Sequence, residues 1–172
     1  MKLVTTIAAL ATLAGCTTTD AAEPSQAAET IRYETSPCFG TCPVYVVTAS
    51  SDGHGTFEGK RFTAVIGERQ FALTPRQFAD FRKRLQAYRP AEGERRVAPG
   101  ETECGPGMTD QPGVTVGWSG GNAAPARLSL YYGCMAHRLA AMKTALRTAP
   151  DALPIGPMIG PPVSIGEVLG RH

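Results

Sequence analysis

Two cysteines lie four positions apart in the stretch SPCFGTCPVY, residues 36–45, where Pro37 and Pro43 flank the pair. Thiols at such a spacing could exchange electrons, bind a metal or close a disulfide. A reactive thiol needs a lowered pKa, which the N-terminus of a helix or a neighbouring cation provides. The segments around Cys38 and Cys42 therefore decide between a chemical and a structural role.

The chain contains three further cysteines, Cys16, Cys104 and Cys134. Cys16 closes a segment with the features of a bacterial export signal. Lys2 supplies a positive charge, residues 3–13 form an apolar run, and the letters LAG precede the cysteine. The apolar run is shorter than the ~20 residues that a membrane-spanning helix needs. The segment is therefore predicted to direct export rather than to cross a bilayer.

A cleavage site that ends in cysteine resembles the signals of bacterial lipoproteins. The resemblance implies that residues 1–15 are removed and that Cys16 carries fatty acyl chains such as palmitate. Such chains anchor a protein without a spanning segment, because each buried methylene contributes ~0.8 kcal/mol. Thr17 stands where an Asp would mark retention at the inner membrane, which implies the outer membrane, facing the periplasm. Residues 16–29 contain no large apolar side chain and predict a flexible tether.

Composition bounds the remainder of the protein. A chain of 172 residues that is 42% hydrophobic can build one domain with a core, which we place at residues 30–149. The 17 basic and 15 acidic residues leave a net charge of +2, so there is no electrostatic basis for binding nucleic acid. Residues 150–172 form an apolar tail rich in proline and glycine, for which no regular element is predicted. The tail is too apolar for a free linker, so it is expected to dock across the sheet or to contact a partner.

The pattern of apolar residues predicts strands and helices in a fixed order. Six strands are predicted in three hairpins, over residues 44–48 and 56–58, 62–66 and 70–73, and 114–118 and 128–132. Thr74, Pro75 and Gln77 form a capping box that starts a first helix ending near Tyr88. A second helix is predicted over residues 135–148. The order β-β-β-β-α-β-β-α predicts an α+β fold, an antiparallel sheet built from hairpins with two helices packed on one face.

Four cysteines remain if Cys16 is acylated, and an even number in an exported chain predicts two disulfides. Three pairings are possible, and the spacing of the cysteines leaves all three open. A zinc site is disfavoured, because Cys104 and Cys134 are isolated and do not form a second close pair.

A redox or copper role is the alternative for Cys38 and Cys42. The pattern C-x3-C-P resembles the Sco-type copper chaperones, which carry it on a thioredoxin-like fold and use a distant histidine as third ligand. The histidines that could serve are His54, His137 and His172. However, residues 44–47 predict a strand behind the pair, whereas an activated thiol needs the N-terminus of a helix.

The stretch CFGTCPVY also resembles the DUF6438 family, a bacterial domain of unknown function. The resemblance continues through Gly53, the segment FEG at residues 57–59 and the segment TDQP at residues 109–112, and it spans residues 30–148. It implies no enzyme activity, substrate or cofactor. Many family members have the C-x3-C pair without further cysteines, which implies that Cys38 pairs with Cys42 and Cys104 with Cys134.

The sequence contains no nucleophile, zinc-protease or phosphate-loop motif, and the segment GWSGG at residues 117–121 lies at a predicted hairpin turn. It therefore predicts no catalytic residue, no metal ligand, no cofactor and no small-molecule substrate. The leading hypothesis is a membrane-anchored, non-enzymatic periplasmic domain that binds a partner protein or an envelope component. The alternative is a thiol-redox or copper-handling lipoprotein that uses Cys38 and Cys42.

Overall fold

A computed structural model describes residues 27–160. The predicted signal, residues 16–26 of the predicted tether, and residues 161–172 of the predicted tail lie outside this range. The strands are β1 (Thr30–Thr35), β2 (Val44–Ser50), β3 (His54–Arg61), β4 (Gly67–Ala72), β5 (Gly93–Val97), β6 (Gly113–Ser119) and β7 (Ala126–Tyr131). The helices are α1 (Pro75–Gln86), α2 (Ala140–Thr148) and α3 (Gly156–Ile159), with short 3-10 turns at His137–Leu139 and Ala149–Ala152.

The seven strands form one sheet in the order β4-β3-β2-β1-β6-β7-β5. The predicted α+β class is confirmed, with a mostly antiparallel sheet. The sheet is nevertheless mixed, because the edge strand β5 runs parallel to β7. The prediction of a purely antiparallel sheet was therefore wrong at this edge.

Strand β1 was not predicted, although it lies near the centre of the sheet. It pairs with β2 on one side and with β6 on the other. Ile31 and Tyr33 point into the core, while Arg32 between them is exposed. The alternation that defines a half-buried strand is therefore present over these six residues, directly after the predicted tether.

The predicted strand over residues 62–66 is wrong. The chain leaves β3 at Arg61, and Phe62 takes a positive φ of 56°, a conformation that a strand does not allow. Residues 62–66 therefore form the loop that joins β3 to β4. Backbone hydrogen bonds hold this loop to the end of α3, from the Ala64 N–H to the Ile159 carbonyl and from the Val65 N–H to the Met158 carbonyl.

The first helix begins as its sequence predicts. The Thr74 side chain accepts a hydrogen bond from the Gln77 backbone N–H, and the Gln77 side chain accepts one from the Thr74 backbone N–H. Phe78, Phe81 and Leu85 then face the sheet. The second helix is shorter than predicted, because residues 137–139 form a 3-10 turn before α2 begins at Ala140.

One hydrophobic core lies between the sheet and the helices. Its largest fully buried side chains include Trp118, Phe57 and Phe81. The first part of the predicted tail belongs to this core, because Leu153 and Ile155 are buried and α3 follows them. The expectation that residues 150–172 form no regular element is therefore wrong for residues 150–159. Proline at the first positions of the 3-10 turn and of α3 is compatible with a helix start.

Candidate functional site

The sheet has two ends that differ in their side chains. The disulfide end consists of the loops at residues 36–43, 98–112 and 132–136, which strand pairing brings together. The entry end consists of residues 27–29, where the described chain begins, and the turns at residues 51–53 and 120–125. The four predicted disulfide cysteines all lie at the disulfide end.

Cys38 and Cys42 close a small loop between β1 and β2. Their Sγ atoms lie at bonding distance, 1.98 Å apart. The loop contains Gly40, whose φ of 143° lies in the region that favours glycine. The strand β2 begins two residues after Cys42, so no helix begins directly after the pair.

Hydrogen bonds fix both sides of this loop. The Phe39 N–H donates to the Asp110 carbonyl over 3.1 Å, and the Ser36 N–H donates to the Gly113 carbonyl over 3.0 Å. The Thr35 hydroxyl donates to the Pro43 carbonyl over 2.9 Å. The loop therefore has a defined backbone, and yet the Phe39 side chain on it is 90% exposed.

Cys104 and Cys134 form the second pair, with Sγ atoms 2.01 Å apart. Both residues are fully buried and belong to the hydrophobic core. Backbone hydrogen bonds surround the pair, from the Met108 N–H to the Gly133 carbonyl and from the Met135 N–H to the Pro106 carbonyl. This disulfide fastens the long loop 98–112 to the end of β7.

Exposed apolar side chains gather at the same end. Among residues 27–160, four large hydrophobic side chains are exposed: Phe39, Ile66, Met108 and Met135. Phe39, Met108 and Met135 lie in the three loops of the disulfide end, and Ile66 lies in the β3–β4 loop at that same end of the sheet. Exposed apolar side chains at one end of a domain are a feature that interaction sites share.

The entry end is fixed by polar contacts instead. The Glu29 carboxylate lies 3.1 Å from Arg82 and 3.4 Å from Arg89. The Arg89 guanidinium also donates to the Ala124 carbonyl and lies over the Trp118 ring. Backbone hydrogen bonds from Gly121 to Ala27 and from Ser51 to Glu29 complete the attachment. Residues 27–29 of the predicted tether are therefore part of the folded domain.

A family model described as a domain of unknown function, DUF6438, matches residues 29–150. This match covers more than half of the 172 residues. The chain belongs to this family. No curated protein and no protein of solved structure matches it. None of the helices within residues 27–160 is long and apolar enough to cross a membrane.

The three candidate histidines differ in their relation to the Cys38–Cys42 pair, and His54 lies at the opposite end of the sheet from it. His54 begins β3 at the entry end, where it lies 3.2 Å from Asp52. His137 lies in the 3-10 turn after Cys134 and is exposed, and His172 lies outside the described residues. Within residues 27–160, no group of three or more His, Cys, Asp or Glu side chains is placed to hold a metal ion.

Buried tyrosines form the other cluster of titratable groups. Burial raises the pKa of Tyr33 well above its usual value and raises that of Tyr132 to about 12. The Tyr33 hydroxyl donates to the Leu146 carbonyl over 2.9 Å, which ties β1 to α2. These phenols remain protonated at neutral pH, so they act as packing groups rather than as bases.

Sequence reasoning identified the cysteines of the site but not its exposed side chains. Phe39 belongs to the cysteine motif, but the aromatic character of its side chain predicts burial rather than the exposure that the structure shows. The turn conformation that places it in solvent is set by contacts with residues 110–113, which are far away in the sequence. Met108 and Met135 gave no signal of exposure, because methionine is common in cores.

Proposed function

We propose that this DUF6438 domain is a non-enzymatic binding module that presents its disulfide end to a partner protein of the cell envelope. The observation that supports the proposal most directly is the exposure of Phe39 on a loop closed by Cys38 and Cys42. Such a side chain adds nothing to the core of the domain. In a partner's apolar pocket its burial would contribute about 1.5–3 kcal/mol.

The disulfide makes Phe39 a favourable anchor residue. Aromatic side chains dominate the energetics of many interfaces. A loop that is already fixed in the free protein loses little conformational entropy on binding, so more of the contact energy is retained. Met108 and Met135, exposed in the other two loops of the disulfide end, would supply adaptable apolar contacts, since methionine adjusts its shape to a partner.

The proposed lipid anchor would attach at the end of the domain opposite Phe39. Residues 1–15 are proposed to be a signal and Cys16 to carry lipid, which would tether the domain to the outer membrane on its periplasmic side. The described chain begins at residue 27, and β1 then runs for six residues toward the disulfide end, about 20 Å at ~3.3 Å per residue. A tether that joins the domain at residues 27–29 would therefore attach at the end of the sheet opposite the loop that carries Phe39.

Metabolic labelling with a palmitate analogue tests the anchor. The protein made with its own first fifteen residues should incorporate the label and sediment with membranes. Cys16→Ala should abolish both, while Cys38→Ala should leave the labelling unchanged. Equal labelling of the Cys16→Ala variant would remove the lipoprotein part of the proposal.

Site-specific photo-crosslinking in cells tests the partner. A photoreactive phenylalanine analogue at position 39 should give one discrete adduct with another protein, since its ring occupies the place of the proposed anchor residue. The matched control carries the same analogue at Arg76, which is exposed on α1 away from the disulfide end. Adducts from both positions, from neither, or only with a second copy of this chain would contradict the proposal.

A further inference from the structure

A groove on the open face of the sheet is lined by an arginine and by hydroxyl groups, with the Glu94 carboxylate also among its lining residues. Strand register places Arg96 on β5 beside Ser129 on β7, and Ser129 beside Thr115 on β6. Side chains directly opposite one another on a sheet face lie about 5 Å apart. These three side chains therefore form one row across the three strands, on the face that the helices leave uncovered.

The groove lies between this row and the disulfide end. Its volume is about 240 Å³, and its lining includes Ser36, Arg96, Gly113, Thr115, Ser129 and Tyr131. Gly113 leaves space at the floor of the groove because it has no side chain. A Cβ at this position would lie 3.0 Å from the Ser36 hydroxyl oxygen. Cavities of about 150 Å³ hold a benzene molecule, so the groove has room for a small ligand.

Arg96 differs from the other arginines at this edge. Arg95 donates to the Glu103 carboxylate over 3.0 Å, and Arg127 lies 3.9 Å from Glu94, which stands at the margin of the groove. Within residues 27–160, the Arg96 side chain makes no ion pair or hydrogen bond. Its five guanidinium N–H donors are therefore unpaired on a residue that lines the groove.

The hydroxyl groups add further donors. Ser36 accepts a hydrogen bond from the Gly113 N–H over 2.7 Å, and within the described part of the chain its own proton goes to no acceptor. The Thr115 and Ser129 hydroxyls lie 3.2 Å apart, so one donates to the other and the second keeps a free O–H. Tyr131 contributes none, because its hydroxyl already donates to the Met108 carbonyl.

We propose that this groove binds an oxyanion, held by the Arg96 guanidinium and by the free hydroxyl protons of Ser36 and of the Thr115/Ser129 pair. Carboxylate and phosphate groups share this chemistry, since both accept two parallel N–H bonds from a guanidinium. Phe39 does not line this groove. Anion binding in the groove and partner binding at Phe39 can therefore be tested, and can fail, independently of each other.

Titrations of residues 17–172, which contain every described element, test the site. The probes are acetate, inorganic phosphate, and triglycine with either a free or an amidated C-terminus. The readout is the backbone amide spectrum. We expect saturable shifts at Gly113, Thr115 and Ser129 with at least one anionic probe and none with the amide. If only acetate or phosphate binds saturably, the ligand class is a small free anion. If only triglycine with a free C-terminus binds, the ligand class is a peptide C-terminus.

Two variants and one control make the result specific. Arg96→Gln should weaken binding about tenfold, because it removes charge-assisted hydrogen bonds to the anion, and Ser129→Ala should weaken it by a smaller factor. Arg127→Gln removes the same charge from the same face and should leave the affinity within about twofold. Equal losses in Arg96→Gln and Arg127→Gln, saturable binding of the amidated peptide, or no saturable shift with any probe would overturn the proposal.

Discussion

The two disulfides lie at the same end of the sheet but in opposite environments. Cys104–Cys134 is fully buried and joins two segments 30 residues apart. Cys38–Cys42 spans a separation of four residues, is half-buried, and closes a loop that carries an exposed phenylalanine. The buried bond thus organises the core, whereas the smaller bond shapes a surface loop. A count of cysteines alone cannot separate these two roles.

Removing the buried disulfide should have the largest effect on stability. Replacing Cys104 and Cys134 together by alanine frees a loop of about 30 residues, for which chain entropy gives a loss of about 3–4 kcal/mol. Loss of two buried sulfurs adds to this value. Urea unfolding of residues 17–172 measures it. A loss below about 1 kcal/mol would show that the core holds the loop 98–112 without the bond.

Replacing Cys38 and Cys42 by alanine should cost less, about 2 kcal/mol, because the closed loop is much shorter. The folded core should survive, with unchanged far-ultraviolet circular dichroism. Backbone amide shifts should be confined to residues 36–43 and to Asp110, which accepts from Phe39. Equal destabilisation by the two double variants would break the contrast between a core disulfide and a loop disulfide.

At the entry end, removing a single charge should lower the stability of the domain. Glu29→Gln removes the partner of Arg82 and Arg89, and we expect a loss of about 1 kcal/mol, because the nearly buried Arg89 keeps its other contacts. Arg76→Gln is the matched control, since its pair with Asp80 is exposed and spans 3.9 Å. Its effect should be near zero. Thermal unfolding in low and high salt distinguishes the two variants.

The smallest expected effect is the pH dependence of the stability that Glu34 contributes. The disulfides do not titrate and contribute no such dependence. Burial acts to raise the pKa of Glu34, but hydrogen bonds from Arg32 and Lys60 outweigh it and lower that pKa. A lowered folded pKa contributes stability above the unfolded pKa of Glu and loses it as the pH falls through the folded value. Glu34→Gln should therefore cost ~0.5 kcal/mol at pH 7 and almost nothing near pH 3, as urea titrations at both values would show. An equal cost at both pH values would mean that the ion pairs are not responsible.

Local signals in the sequence predicted the elements that local chemistry determines. The capping box from Thr74 to Gln77 and the first predicted hairpin, formed by β2 and β3, both lie where the sequence predicts them. Strand β5 could not be predicted in this way. Its residues Gly93–Val97 are mostly exposed and charged, and they form a strand because β7 offers a parallel edge to pair with. Pairing between distant segments is not encoded in the local pattern.

The same limit applies to the candidate site. The sequence predicted disulfides at Cys38, Cys42, Cys104 and Cys134, and the structure has two bonds in the pairing that the family resemblance implied. The row of Arg96, Ser129 and Thr115 was not predicted. It depends on the register of three strands, two of them separated from Arg96 by the long loop 98–112. Hydroxyl and guanidinium groups at such separations show no motif in the sequence.

The reduction potential of Cys38–Cys42, together with Cu(I) binding, tests most directly whether this bond shapes a loop or performs chemistry. The measurement uses residues 17–172 and follows thiol labelling of Cys38 and Cys42 by mass spectrometry in graded redox buffers. A structural bond should have a potential below about −300 mV and no affinity for Cu(I) that depends on both cysteines. A potential near that of the periplasmic oxidants, with tight Cu(I) binding lost in the Cys38→Ala/Cys42→Ala variant, would contradict the structural role and favour the redox or copper alternative.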